Sequence, residues 1–174
     1  MAKQKEIKTN AMRILDRMKI PYTHYTYECG EFIDGIQVAD MLDLPHEKVY
    51  KTLVTQSPSK EYFVFVIPIE AELDLKKAAR AAGQKSVAML HVKDINTVTG
   101  YIRGGCTAVG MKKQYKTLIE KSAQSLPSVI VSGGSGICGY YCRLRLYGGR
   151  SIGQRPENPE RRKCSGKESE NQGR

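Results

Sequence analysis

One run of fourteen residues, Gly100–Lys113 (GYIRGGCTAVGMKK), gathers much of the chemistry this chain can offer. Four glycines fall within eleven residues there, with no proline and no acid, and a lysine pair closes the run. The Gly104–Gly105 pair permits backbone angles closed to other residues and lets a ligand approach the main chain. Such a loop can aim bare N–H groups at a carbonyl or phosphate oxygen. A bulge or tight turn between strands would use the same residues. Lys51 is the second candidate, on one face of a strand-like run with Val49 and Leu53. Its ammonium either emerges at a sheet edge or points into a cleft, because lysine is seldom buried unpaired. In a cleft it would hold a phosphate or polarise an ester carbonyl.

Other reactive side chains are scattered. Cys29 and Cys106 are candidate nucleophiles, but no histidine can be placed beside either. Cys106 lies in the glycine loop, as a thiol nucleophile or as a small inert side chain. Ser132 ends a strand-like run, where a hydroxyl caps the backbone or touches a substrate. Tyr27 reads as a half-buried strand aromatic or a substrate contact. His24, His46 and His91 are dispersed and Cys138-x₃-Cys142 has no second ligand pair, so no metal is expected. Gly134, Gly136 and Gly139 match a dinucleotide fingerprint formally. The YYCRLRLY that follows reads as extended, so the helix N-terminus that such a site needs is missing. No cofactor is expected.

The elements that position these residues follow from periodicity. Residues 5–19 carry Ile7, Ala11, Ile14, Leu15 and Met18 at helical spacing, with Pro21 beyond the end. Tyr22–Glu28 alternates aromatic and polar residues, as a strand does. Asp34 can N-cap a short helix carrying Ile36, Val38, Ala39, Met41 and Leu42. Val49–Thr55 and Tyr62–Ile69 are strands joined by the turn-like SPSKE, and the second is apolar enough to be central and buried on both faces. Asp74–Ala82 is a helix stopped by Gly83. Ser86–Leu90, Thr117–Glu120 and Ser128–Ser132 read as strands, and Val92–Thr99 as a helix leading into the glycine loop. The elements interleave without a βαβ rhythm, which gives a single α+β domain with a mixed sheet.

At 174 residues the chain suffices for one domain with a real core. Five cysteines, an odd count, suit free thiols, and no apolar run is long enough to span a bilayer. MAKQKEIKTN has no signal-peptide core, so the cytoplasm is the expected location. The net charge of +10 suggests a polyanionic partner. Residues 1–134 hold 19 Lys and Arg against 14 acids, and residues 135–174 hold nine against four. Composition changes at that boundary: 15 Lys and 4 Arg before it, 2 Lys and 7 Arg after it. Residues 135–174 are therefore set apart as an atypical basic tail, either an interaction segment that stays disordered or one translated out of frame.

Three segments are more specific together than apart. KTLV at Lys51–Val54, GYIRGGCTAVGMKK at Gly100–Lys113 and IVSGG at Ile130–Gly134 recur in the order and spacing of a known family. Residues 5–134 resemble the YbaK family of aminoacyl-tRNA deacylases, relatives of the editing domain inserted in bacterial prolyl-tRNA synthetases. The resemblance implies a largely antiparallel, partly barrel-like sheet flanked by helices. It implies hydrolysis of misacylated tRNA, best matching Cys-tRNA(Pro), with the substrate's own thiol as nucleophile. Lys51 and Gly105 would be catalytic. Tyr27, Gly104, Cys106, Thr107, Ser132 and Gly133 would contact substrate, with Gly104 and Gly105 holding the aminoacyl carbonyl. Partners implied are tRNA-Pro, with tRNA-Cys as a second candidate, and prolyl-tRNA synthetase. Thr107-Ala108 stands where the family usually has Ser/Thr-Pro. The family also continues past SGG with a strand and a closing helix that include an acidic site residue, where this chain reads CGYYCRLRLYGGRSIG. A non-catalytic tRNA- or synthetase-binding module with the same core is the alternative, and a thiol enzyme built on Cys106 a third reading.

Overall fold

Local signals fix most element boundaries. The computed structural model describes residues 8–28, 33–134 and 138–145, the last by backbone alone. Helix α1 spans Asn10–Arg17 because the Thr9 side chain accepts from the Met12 N–H and starts the helix there. It is shorter than the 5–19 expected from periodicity, and residues 1–7 lie outside the described set. Ala11, Met12 and Leu15 form its buried face.

Strand β1 is Tyr22–Glu28, and α2 is Gly35–Met41. Asp34 and Gln37 form a reciprocal capping box at the start of α2, satisfying two orphan backbone groups. A 3-10 turn at His46–Lys48 leads into β2 (Tyr50–Gln56), which returns as β3 (Tyr62–Pro68). Phe63 to Ile67 are all buried, as expected of a central strand. Helix α3 (Leu75–Ala82) lays Ala78, Ala79 and Ala82 against Phe63, Phe65 and Ile67. Their small side chains let helix and sheet approach closely. Gly83 ends it in a left-handed cap. Strand β4 is only Ala88–Met89, α4 is Val92–Thr99, β5 is Lys116–Ile119 and β6 is Ser128–Ser132.

The strands form two sheets, ordered β4-β2-β3-β5 and β1-β7-β6. Only β3 and β5 pair in parallel within the ladders, so the arrangement is mixed and largely antiparallel. It does not close into a barrel. The sheets meet at an isolated parallel bridge between Val49 and Ile130, and Val49 and Ile130 are fully buried there with Val38, Ala39, Leu44 and Ile69.

Strand β7, Cys138–Arg145, lies past the expected boundary at Gly134 and fills the place between β1 and β6. The extended reading of YYCRLRLY thus describes a paired strand. The expectations for residues 146–174 fall outside the described residues. No helix among the described residues is long and apolar enough to cross a membrane.

Candidate functional site

The break between the two sheets leaves part of β2 unladdered. Val49 bridges to Ile130, and the Val54 carbonyl accepts from the Leu90 N–H at 3.0 Å. Between those points no described strand pairs with the outer edge of β2. A cleft of about 610 Å³ opens there, lined by all five residues from Tyr50 to Val54. The start of α2 forms one wall, and Met89, Leu90, Val92 and Ile95 form another. Tyr27 of β1, Gly104 and Cys106 of the glycine loop and Ser132 at the end of β6 complete it.

Lys51 therefore lines a cleft at an unladdered stretch of strand edge. No hydrogen bond or ion pair from a described residue engages its ammonium. Gly104 adopts φ +84°, which a side chain would strain, and no described residue accepts its N–H. Its neighbour differs: the Gly105 N–H donates to the Ile102 carbonyl at 3.0 Å, and Gly105 is buried behind the lining. Of the expected pair of bare amides, one is available and one is spent on the loop's own turn.

Thr107 and Gly133 also lie behind the lining. Thr107 is 1 % exposed and its hydroxyl accepts from the Val109 N–H. The Gly133 carbonyl accepts the Thr9 hydroxyl at 2.6 Å. Ser132 lines the cleft and its hydroxyl accepts from the Gly134 N–H at 3.4 Å, so it also caps its strand.

Tyr101 holds the loop in shape. Its hydroxyl donates to the Val109 carbonyl at 2.6 Å, closing residues 102–108 into a tight excursion. Asn10 donates to the Gly110 carbonyl at 3.1 Å. The start of α1 thus ties the glycine loop and the end of β6 together. These bonds supply rigidity in a loop that holds four glycines and no proline.

Cys106 is a poor nucleophile. Burial pushes its thiol up to about 11, only partly offset by a hydrogen bond with Thr99. No histidine lines the cleft among the described residues, so no nucleophile–base pair forms around Cys106. Cys29 lies outside the described set. Among the described residues no three His, Cys, Asp or Glu side chains are grouped to hold a metal ion.

Two charged lining residues, Asp34 and Arg103, escaped the sequence reading of the site. Asp34 was legible only as a helix cap, a role that accounts for the residue and conceals any other. Arg103 stands beside the glycine pair, a proximity that was visible but silent on direction.

The family profile for the aminoacyl-tRNA editing domain matches residues 35–138. The chain belongs to that family. A protein of Enterococcus faecalis named as a candidate Cys-tRNA(Pro)/Cys-tRNA(Cys) deacylase, EbsC, is 46 % identical over 136 residues, covering 77 % of this chain and 83 % of its own. Among solved structures, hypothetical protein APE2540 has a TM-score of 0.67 at 17 % identity, covering 79 % of this chain and 89 % of its own. A candidate trans-editing enzyme for prolyl tRNA synthetase gives 0.62 at 18 %, covering 78 % and 87 %. At those identities the structures establish the fold. Among the described residues, the charged side chains that line the cleft of this editing domain are two cations, Lys51 and Arg103, and one carboxylate, Asp34. That balance suits a polyanionic substrate.

Proposed function

We propose that this editing domain deacylates cysteinyl-tRNA, with misacylated Cys-tRNA(Pro) as its principal substrate and the correctly charged Cys-tRNA(Cys) as a second. The observation that carries this reading is Lys51, an ammonium without a described partner, in one cleft with the open amide of Gly104. The 46 % identity to EbsC supports the choice of substrate.

An aminoacyl ester is already activated, so the protein needs chiefly to orient it and stabilise a developing oxyanion. Lys51 and the Gly104 N–H perform that task, one with a full charge and one with a fixed dipole. Gly105 contributes if its N–H leaves the Ile102 carbonyl when substrate enters. Tyr27 and Ser132 contact the aminoacyl group. Cys106 presents a small apolar wall.

The nucleophile comes from the substrate. The cysteinyl thiolate attacks its own carbonyl carbon, a C–S bond forms and the ester C–O bond to the terminal ribose breaks. The ribose oxygen takes a proton, and the four-membered thiolactone released is hydrolysed by water to cysteine. An inert protein thiol is compatible with that route. The reaction belongs in the cytoplasm beside prolyl-tRNA synthetase, whose binding would present the acceptor end.

The test is a panel of Cys-tRNA(Pro), Cys-tRNA(Cys), Ala-tRNA(Pro) and matched Pro-tRNA(Pro). Release of cysteine with Pro-tRNA(Pro) left intact is expected. Tight, salt-sensitive tRNA binding with no release from any of them would replace the enzyme by a binding module.

A further inference from the structure

Asp34 is the sole carboxylate among the described residues that line the cleft. Its Oδ1 accepts the Gln37 N–H at 2.9 Å, which completes the cap of α2. Its other oxygen takes no hydrogen bond from a described residue. Capping needs a single acceptor, which asparagine or serine supplies about as well. The second oxygen and the negative charge exceed that need.

The proposed substrate brings a cation into the same space. The α-nitrogen lies about 2.5 Å from the carbonyl carbon, a distance fixed by covalent geometry. Wherever Lys51 and Gly104 hold the carbonyl, the ammonium is beside it. Lys51 alone would repel that group. A carboxylate with a spare oxygen offers it a partner of opposite charge.

We infer that Asp34 binds the α-ammonium of the aminoacyl group and makes the cleft select aminoacyl esters over neutral acyl esters. The inference rests on the deacylase reading above.

The test compares cysteinyl-tRNA(Pro) with its α-hydroxy analogue, in which an isosteric O–H replaces the ammonium. An assay at pH 6.5 keeps the amine charged, below its usual range of about 7.7–8.0. The parent should show a KM roughly threefold to tenfold lower for the amine substrate, the size expected of a solvent-screened charge pair. Asp34→Asn keeps the cap and should bring the two KM values together. Asp34→Ser serves the same purpose if the asparagine variant folds poorly. A parent that hydrolyses both esters with equal KM, or a variant that keeps the parent's preference, overturns the role of Asp34 and leaves the deacylase standing. A parent that hydrolyses neither ester removes the deacylase reading and this inference with it.

Discussion

Gly83 and Gly134 share a backbone conformation, both at φ +75°, and differ in what surrounds them. A Cβ on Gly83, at the end of α3, would meet nothing within 4 Å, whereas one on Gly134 would lie 2.5 Å from Cε1 of Tyr101. The Tyr101 ring cannot step aside easily: it is 8 % exposed, and its hydroxyl is fixed to the Val109 carbonyl at 2.6 Å. Thr107 Cγ2 closes the space at 3.2 Å. Placing alanine in the left-handed region costs about 1–2 kcal/mol from the backbone alone, which is the whole loss expected for Gly83→Ala. Gly134→Ala adds about 1–3 kcal/mol of overpacking, for a total of about 2–5 kcal/mol. Urea unfolding of both variants reads these values from midpoint shifts at constant slope. Gly134→Ala should also slow deacylation, because the strain falls between the glycine loop and Ser132. Equal stability losses in the two variants would refute the idea that a pinned Tyr101 packs these segments together.

Cys106→Ser should keep deacylation within about twofold of the parent. At pH 7 a thiol near 11 is ionised in about one molecule in ten thousand, so alkylating reagents should label Cys106 slowly; rapid labelling or a tenfold loss of activity would put the thiol back in the mechanism. His46 bridges Glu70 through Nδ1 and Asp40 through Nε2, each at 2.7 Å, and tethers α2 to the segment after β3. The hydrogen bond that its ring donates to Glu70, then the one to Asp40, raises its pKa above the ordinary 6.5. A raised folded value means the tether stabilises fully below pH 6.5 and fades as pH climbs through it. The stability difference between the parent and His46→Asn should therefore shrink from pH 6 to pH 9, and a difference independent of pH would contradict the tether.

Local chemistry made much of the fold legible. Tyr22–Glu28, Val92–Thr99 and Ser128–Ser132 have the bounds that alternation and helical spacing suggested. Asp34 and Gly83 act as the caps that their residue types announced, whereas Asp74, read as the first residue of its helix, is the N-cap. What escaped depended on pairing at long range. The strand expected at Ser86–Leu90 is present, but only Ala88–Met89 of it pairs, and that brevity leaves β2 open beside Lys51. Strand β7 was legible as extended, but its partners β1 and β6 are a matter of topology. The same limit applied within the site. Sequence could place Gly104 and Gly105 together, yet only the turn that binds the Gly105 N–H to Ile102 separates an available amide from an occupied one.

Lys51 carries the account, and its replacement tests it most directly. Single-turnover release of cysteine from Cys-tRNA(Pro) should fall by about a hundredfold to a thousandfold in Lys51→Ala, the loss typical of one missing oxyanion-stabilising donor. The unfolding midpoint should stay at the parent's value, because no described residue depends on the ammonium. Equal rates in Lys51→Ala and the parent would contradict the catalytic role given to the cleft.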